Sequence, residues 1–194
     1  MPLMWTNGTI SKEERGPGIL WAEGYSSTAV SHFDIVYNDA RSAGFDRFTI
    51  EIYDLECNGY HPLLTPMTGS NAVSGDGCYG GYEIYGEGGV GTVGTNYNNR
   101  RGFPLTGLRG GAELASYKGH YTIHVSDPLT NTSSAYPNVW WHGTHRVSGT
   151  LATRCAGGGV HNKFNSHYGL RLETDDPSNN RITEYGFGLY AYRE

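Results

Sequence analysis

Glycine occupies 29 of the 194 positions, about twice the ~7% share of an ordinary protein. Between the glycines lie short runs rich in Tyr, Ile, Val, Thr and Phe, residue types that suit a pleated, half-buried surface. Punctuation this dense leaves little room for helices and predicts many short strands joined by tight turns. The fold class expected is therefore all-β: an antiparallel β-sandwich or jelly roll. A chain of this length makes one large domain, or one domain with an arm. We place an extended N-terminal arm at residues 1–18, closed by the break Gly16-Pro17-Gly18, and the β-sandwich domain at 19–194.

Period-two alternation marks the strands. In the run from Phe45 to Glu56, Phe48, Ile50 and Ile52 fall on one face and Thr49, Glu51 and Tyr53 on the other. Val30 to Tyr37, Tyr82 to Tyr85, the Trp140-Trp141 region, Val147 to Arg154 and Ile182 to Arg193 read as further strands. Tyr121, Ile123 and Val125 alternate with Thr122, His124 and Ser126. Tyr168, Leu170 and Leu172 alternate with Arg171 and Glu173. The long stretch from Tyr25 to Ala43 lacks Gly and Pro but is not 3.6-periodic, and only Ala112 to Lys118 suits a turn or two of helix. Neither a 20–50-residue repeat nor a heptad pattern occurs.

Charge narrows the function classes. Charged residues make up 17% of the chain and the formal net charge is −5. No basic run exceeds Arg100-Arg101, whereas a phosphate-tracking groove needs clustered positive charge. Nucleic acid and acidic membrane surfaces are thus poor partners. No apolar run approaches the ~18 residues of a membrane-spanning helix. The first residues lack the basic-then-apolar pattern of a signal peptide, so a product kept in a cytoplasm or released by lysis is expected. With 15 Tyr and 4 Trp, part of the surface is expected to meet another protein or a sugar. The three cysteines, Cys57, Cys78 and Cys155, are expected as reduced, mostly buried thiols, with a Cys57–Cys78 bridge as the alternative.

Chemistry-bearing clusters are sparse. The glycine-rich stretch Gly80 to Gly91 lacks the Lys-Ser/Thr and following helix of a phosphate loop. His120 with His124, and His142 with His145, are candidate metal ligands, but a catalytic zinc needs three that converge. Asp175-Asp176 and Asp54 with Glu56 are weaker cation candidates. Glu51 and Glu83 are the candidate carboxylate pair for glycoside hydrolysis, which requires the two to flank one cleft. The Gly-x-Ser-x-Gly elbow of hydrolases is missing. We therefore assign no catalytic residue, no cofactor and no metal.

The order of segments is itself informative. Ser31-His32-Phe33-Asp34-Ile35, then Phe45-Asp46-Arg47-Phe48-Thr49-Ile50-Glu51-Ile52-Tyr53-Asp54-Leu55, resembles an opening common in virion proteins of tailed bacteriophages. The likeness continues through the glycine-and-tyrosine loop from Gly80 to Tyr97 and the strand and turn from Tyr121 to Pro128. It closes with Gly169-Leu170-Arg171-Leu172 and Gly188-Leu189-Tyr190, and so covers most of residues 25–194. The resemblance implies a β-sandwich building block of a phage particle, assembled in the host cytoplasm. The form expected is a capsid decoration (cement) protein bound to the major capsid protein, as a homo-oligomer for which a trimer is suggested. A tail-fibre or receptor-binding module and a carbohydrate-binding jelly roll are the alternatives. Interface candidates are Met4 and Trp5 in the arm, the pair Trp140 and Trp141, and Tyr82, Tyr85 and Tyr97, because Trp and Tyr dominate interface hot spots.

Overall fold

The computed structural model describes residues 18–58, 61–69, 77–86, 95–106, 118–126, 137–146, 152–162, 167–175 and 181–193. The expected arm, with Met4 and Trp5, lies outside them apart from Gly18, as do residues 112–117 of the expected helical turn and residues 147–151 of the strand expected from Val147. The described residues are nearly all strand, in the order β1 (Ile19–Ser26), β2 (His32–Val36), α1 (Asn38–Ser42), β3 (Arg47–Cys57), β4 (Pro62–Met67), β5 (Cys78–Gly86), β6 (Thr95–Arg100), β7 (Phe103–Pro104), β8 (Lys118–Ser126), β9 (Asn138–Arg146), β10 (Ala152–His161), β11 (Gly169–Thr174) and β12 (Ile182–Tyr192). They form an eight-stranded sheet, ordered β1-β12-β3-β8-β9-β10-β5-β6, and a four-stranded sheet, ordered β2-β11-β4-β7. Every pairing is antiparallel. The expectation of a helix-free stretch to Ala43 is corrected by α1, a single short helix ended by Gly44 at φ +91°, the left-handed position that glycine fills without a Cβ clash.

Alternation decides what enters the core. Phe48, Ile50 and Ile52 of β3 and Tyr121, Ile123 and Val125 of β8 are buried, while the residues between them are not. They join one cluster with Phe33 and Ile35 of β2, Leu64 of β4, and Leu170 and Leu172 of β11, so both sheets supply the same core. At Asp54 the phase slips. This residue has φ 53°, the register with β8 shifts between Ile52 and Leu55, and Leu55 and Cys57 then turn inward. Such a bulge re-aims a strand, and Asp tolerates the left-handed backbone better than most residues. Uninterrupted alternation would have driven Asp54 and Glu56 into the core.

The glycines are placed by the aromatic rings. Gly24 faces Phe187, Gly186 faces Tyr53, Gly143 faces Tyr121 and Gly157 faces Trp141, each directly across a strand pair. In all four cases a Cβ on the glycine would run into that ring. Gly119 stands in the same way opposite His145, whose Nδ1 would lie 2.5 Å from the added carbon. A ring can therefore lie flat over the neighbouring backbone, which recovers the packing that glycine itself lacks. Trp141 is held further by its indole N–H, which donates to the Leu105 carbonyl at 3.2 Å, and by Phe103 at 6.2 Å between ring centroids.

The smaller sheet carries ion pairs where the alternation predicts solvent. Arg171 meets Asp34, its direct cross-strand partner, through two hydrogen bonds of 2.6 and 2.9 Å. Glu173, expected outside because it alternates with Leu172, is instead buried. Thr65 and Arg101 each donate to its carboxylate at 2.5 Å, which offsets the desolvation of the charge.

The ring-over-glycine geometry distinguishes two adjacent residues. Gly157→Ala should cost about 1–3 kcal/mol, as for other overpacked sites, because Trp141 must leave its seat. Gly158→Ala, whose Cβ would meet nothing nearer than Trp140 Cβ at 3.3 Å, should stay within about 0.5 kcal/mol of the parent. Urea unfolding of the two variants measures the difference; equal losses would contradict the packing described.

Candidate functional site

The outward side of the eight-stranded sheet is where the alternation leaves chemistry. One row across the strands reads Tyr190, Thr49, His124, Trp140, Gly158 and Gly81, each directly opposite the next. The adjoining row reads Gly188, Glu51, Thr122, His142, Ala156 and Glu83. Leu20, Tyr25 and Tyr53 are also exposed, and by register they fall on the same side, opposite Tyr190 and Gly186.

Trp140 is the centre of this face. It is 51% exposed, whereas Trp141 is 1% exposed, because successive residues of a strand point to opposite sides. The expectation of a surface tryptophan pair is corrected accordingly: Trp141 belongs to the core, and Trp140 alone can touch a partner. Its indole stacks on His124 with centroids 3.7 Å apart and planes within 20°. His142 is nearly parallel to both, at 6.2 Å from Trp140 and 6.1 Å from His124. Thr49 Oγ1 sits 3.1 Å from His124 Nδ1 and fixes that ring. Burial, and then the neighbouring His142, lower the His124 pKa from its ordinary value, against a smaller pull upward from Glu51. The His124 ring is therefore predominantly uncharged at neutral pH. Thr122 Oγ1 donates to Glu51 at 3.0 Å.

At one end of the face, Glu184 accepts from Tyr25 at 2.8 Å and from Lys118 at 2.7 Å, and Lys118 also lies 3.7 Å from Asp54. The hydrogen bonds from Lys118 and then Tyr25 lower the Glu184 pKa.

Other expected residues do not converge. Glu51 and Glu83 share a row but lie four strand spacings apart, roughly 19 Å at about 4.8 Å each, against at most about 9.5 Å for a hydrolytic pair. His142 is exposed and His145 buried, on opposite sides of β9. His120 and His124 share the outward side of β8 as expected. Among the described residues no group of three or more His, Cys, Asp or Glu could hold a metal ion. Asp175 accepts from the His61 backbone N–H at 3.0 Å, and Asp176 lies outside the described residues. Tyr82 and Tyr85 lie in β5, opposite Gly157 and Arg154, and Tyr97 lies in β6 opposite Gly80; their side chains lie outside the described residues. The cysteines are free and buried. Burial pushes the Cys57 and Cys155 thiols up to about 12, so they stay protonated and inert as nucleophiles.

The core also encloses histidines that alternation alone did not single out. His145 Nδ1 lies 3.0 Å from the Tyr121 hydroxyl. His161 Nδ1 lies 2.9 Å from His167 Nε2, so one ring donates and the other accepts, and Arg41 donates to the His167 carbonyl at 2.9 Å. Burial first, then His61 for His145 and His161 and Arg41 for His167, lower His145 to about 4 and His167 to about 3.

Comparison with known protein families, curated proteins and solved structures returned no match to this chain.

The buried rings set the response to acid. An unfolded imidazole takes up a proton near pH 6.5, while folded His145 and His167 resist until about 4 and about 3. The unfolded state therefore binds more protons in this window, and stability falls as the pH drops from about 6.5 toward 4. The slope is at most about 1.4 kcal/mol per pH unit for each ring. Urea midpoints measured from neutral pH downward should show this acid limb, and His145→Gln should flatten it; an unchanged slope would contradict a buried neutral His145.

Proposed function

We propose that this protein is an adhesive β-sandwich building block of a tailed-bacteriophage particle, a decoration subunit that binds the major capsid protein and braces the shell. The observation that carries the reading is the outward face of the eight-stranded sheet, where Trp140, Tyr53, Tyr25 and Leu20 are exposed. Exposed large aromatics on one broad face are what an interface needs, since Trp and Tyr supply most hot-spot energy. The sandwich reading is supported by the single cluster of buried residues drawn from both sheets. The virion reading is supported by the likeness of segment order to phage structural proteins. Contacts of roughly 800 Å² per partner, repeated around a shell and reinforced within an oligomer, are sufficient for stable attachment.

A second reading, a receptor-binding or carbohydrate-binding module, is favoured by one observation: the stacked, half-exposed indole of Trp140 beside a glycine. The two readings separate when purified protein is mixed with undecorated phage capsids and the product is imaged. Decorated shells are expected, with Trp140→Ala weakening attachment by roughly 30-fold, as for a hot-spot tryptophan. Bare shells at every concentration would discard the decoration reading and leave the second.

A further inference from the structure

Among the described residues the two sheets end in four edge strands, which differ in what they offer a neighbour. β7 is two residues long, β6 is rich in Asn and ends in Arg100, and β2 carries Asp34 in its ion pair with Arg171. β1 pairs with β12 alone, and among the described residues no strand lies along its other side. Edges that avoid pairing are blunted by Lys, Pro, a bulge or a covering segment. β1 has a bulge between Leu20 and Ala22, but it holds no Lys, Arg or Pro, and Leu20, Trp21 and Tyr25 are exposed along it. Past the bulge, from Ala22 to Ser26, the register with β12 is unbroken. The middle of that regular run is Gly24.

We propose that β1 is a homodimer seam: the edges of two copies pair antiparallel about a two-fold axis at Gly24, joining their large sheets into one. An antiparallel edge presents alternating donors and acceptors, so a second copy of the same edge is complementary to it. Side chains decide where the axis falls. Directly opposed residues share one side of the sheet, and an axis at Gly24 sets Glu23 opposite the second copy's Tyr25 and Ala22 opposite the second copy's Ser26. All of the regular run is then paired. An axis at Glu23 would oppose two carboxylates, which is destabilising, and an axis at Ala22 would draw the bulge into the ladder. Glu23 is the only charged residue of β1, so the Gly24 axis removes like-charge opposition from the seam. Glycine suits the axis for a second reason. The Phe187 ring on β12 reaches over Gly24, with Cε1 2.7 Å from where a Cβ would stand. Two bare glycines at the axis bring the two Phe187 rings side by side, about one strand spacing apart, in the range of attractive aromatic pairs. Such a pairing uses the same surface on both copies and closes at two. It stands independently of the capsid reading.

The test follows the full chain by analytical ultracentrifugation from about 1 to about 300 µM. A reversible dimer with a dissociation constant of roughly 10 µM is expected of a short edge contact. Glu23 and Tyr25 are exposed, so substitutions there leave the monomer fold standing. Tyr25→Glu places a carboxylate opposite Glu23 twice over and should weaken the dimer about tenfold. Adding Glu23→Lys to that variant should restore the parent affinity. It does not restore the bond from Tyr25 to Glu184, so the rescue reports the seam and not the monomer. Cross-linking reads the register. Opposed residues have Cα atoms about 4.5–5.5 Å apart, within disulfide range. Glu23→Cys protein mixed with Tyr25→Cys protein under mild oxidation should give a disulfide-linked heterodimer, while neither links to itself; the native cysteines are buried. A monomer at every concentration overturns the seam. So does a trimer, an undiminished dimer in Tyr25→Glu, failure of Glu23→Lys to rescue it, or Glu23→Cys protein that links to itself.

Discussion

An aromatic ring laid over a bare glycine on the neighbouring strand is the contact on which the large sheet depends. Trp141 over Gly157, Tyr121 over Gly143, Tyr53 over Gly186 and Phe187 over Gly24 tie successive strand pairs together. Each pair places a large flat surface in van der Waals contact with backbone, where a Cβ would hold it off. Dispersion summed over such contacts is substantial although each atom pair contributes little. The glycines lose conformational freedom on folding, and the rings offset that loss by filling the space above them.

The two adjacent tryptophans are held differently. Trp141, on the inner side, is fixed by Phe103 and by its hydrogen bond to Leu105. Trp140, on the outer side, stacks on the flat partner its neighbour strand provides, His124. A low pKa for His124, held by burial and by His142, keeps that partner uncharged, so the stack does not have to desolvate a cation.

Polar groups inside the molecule follow one rule: each described above is either neutral or paired. Glu173 is paired: Arg101 and Thr65 both donate to its carboxylate. His145 and His167 stay neutral because burial disfavours their charged forms, with His61 acting on the first and His161 and Arg41 on the second in the same direction. Cys57 and Cys155 remain thiols because burial disfavours the thiolate, reinforced at Cys57 by Asp175 and Glu56. The inner histidines therefore read as structure, with exposed aromatic and polar side chains such as Trp140 and His142 on the opposite side of the sheet.

Much of the fold was legible in the chain. Glycine spacing and period-two alternation are local properties, and they identified an all-strand body, the inward triplets of β3 and β8, and the outward Thr49, Glu51 and His124. The bulge at Asp54 was not legible, because it lies where the registers with both neighbouring strands shift, and those pairings join residues far apart in sequence. Nor was burial of Glu173, which needs Arg101 from a distant segment. Trp140 and Trp141 were expected together at the surface, and it is the burial of Trp141 in the core that separates them. Which strand lies beside which is set by the whole assembly, since pairing joins residues far apart in sequence. Only the tertiary structure could place His124 on one side of Trp140 and Gly158 on the other, and could set Glu51 and Glu83 four strands apart.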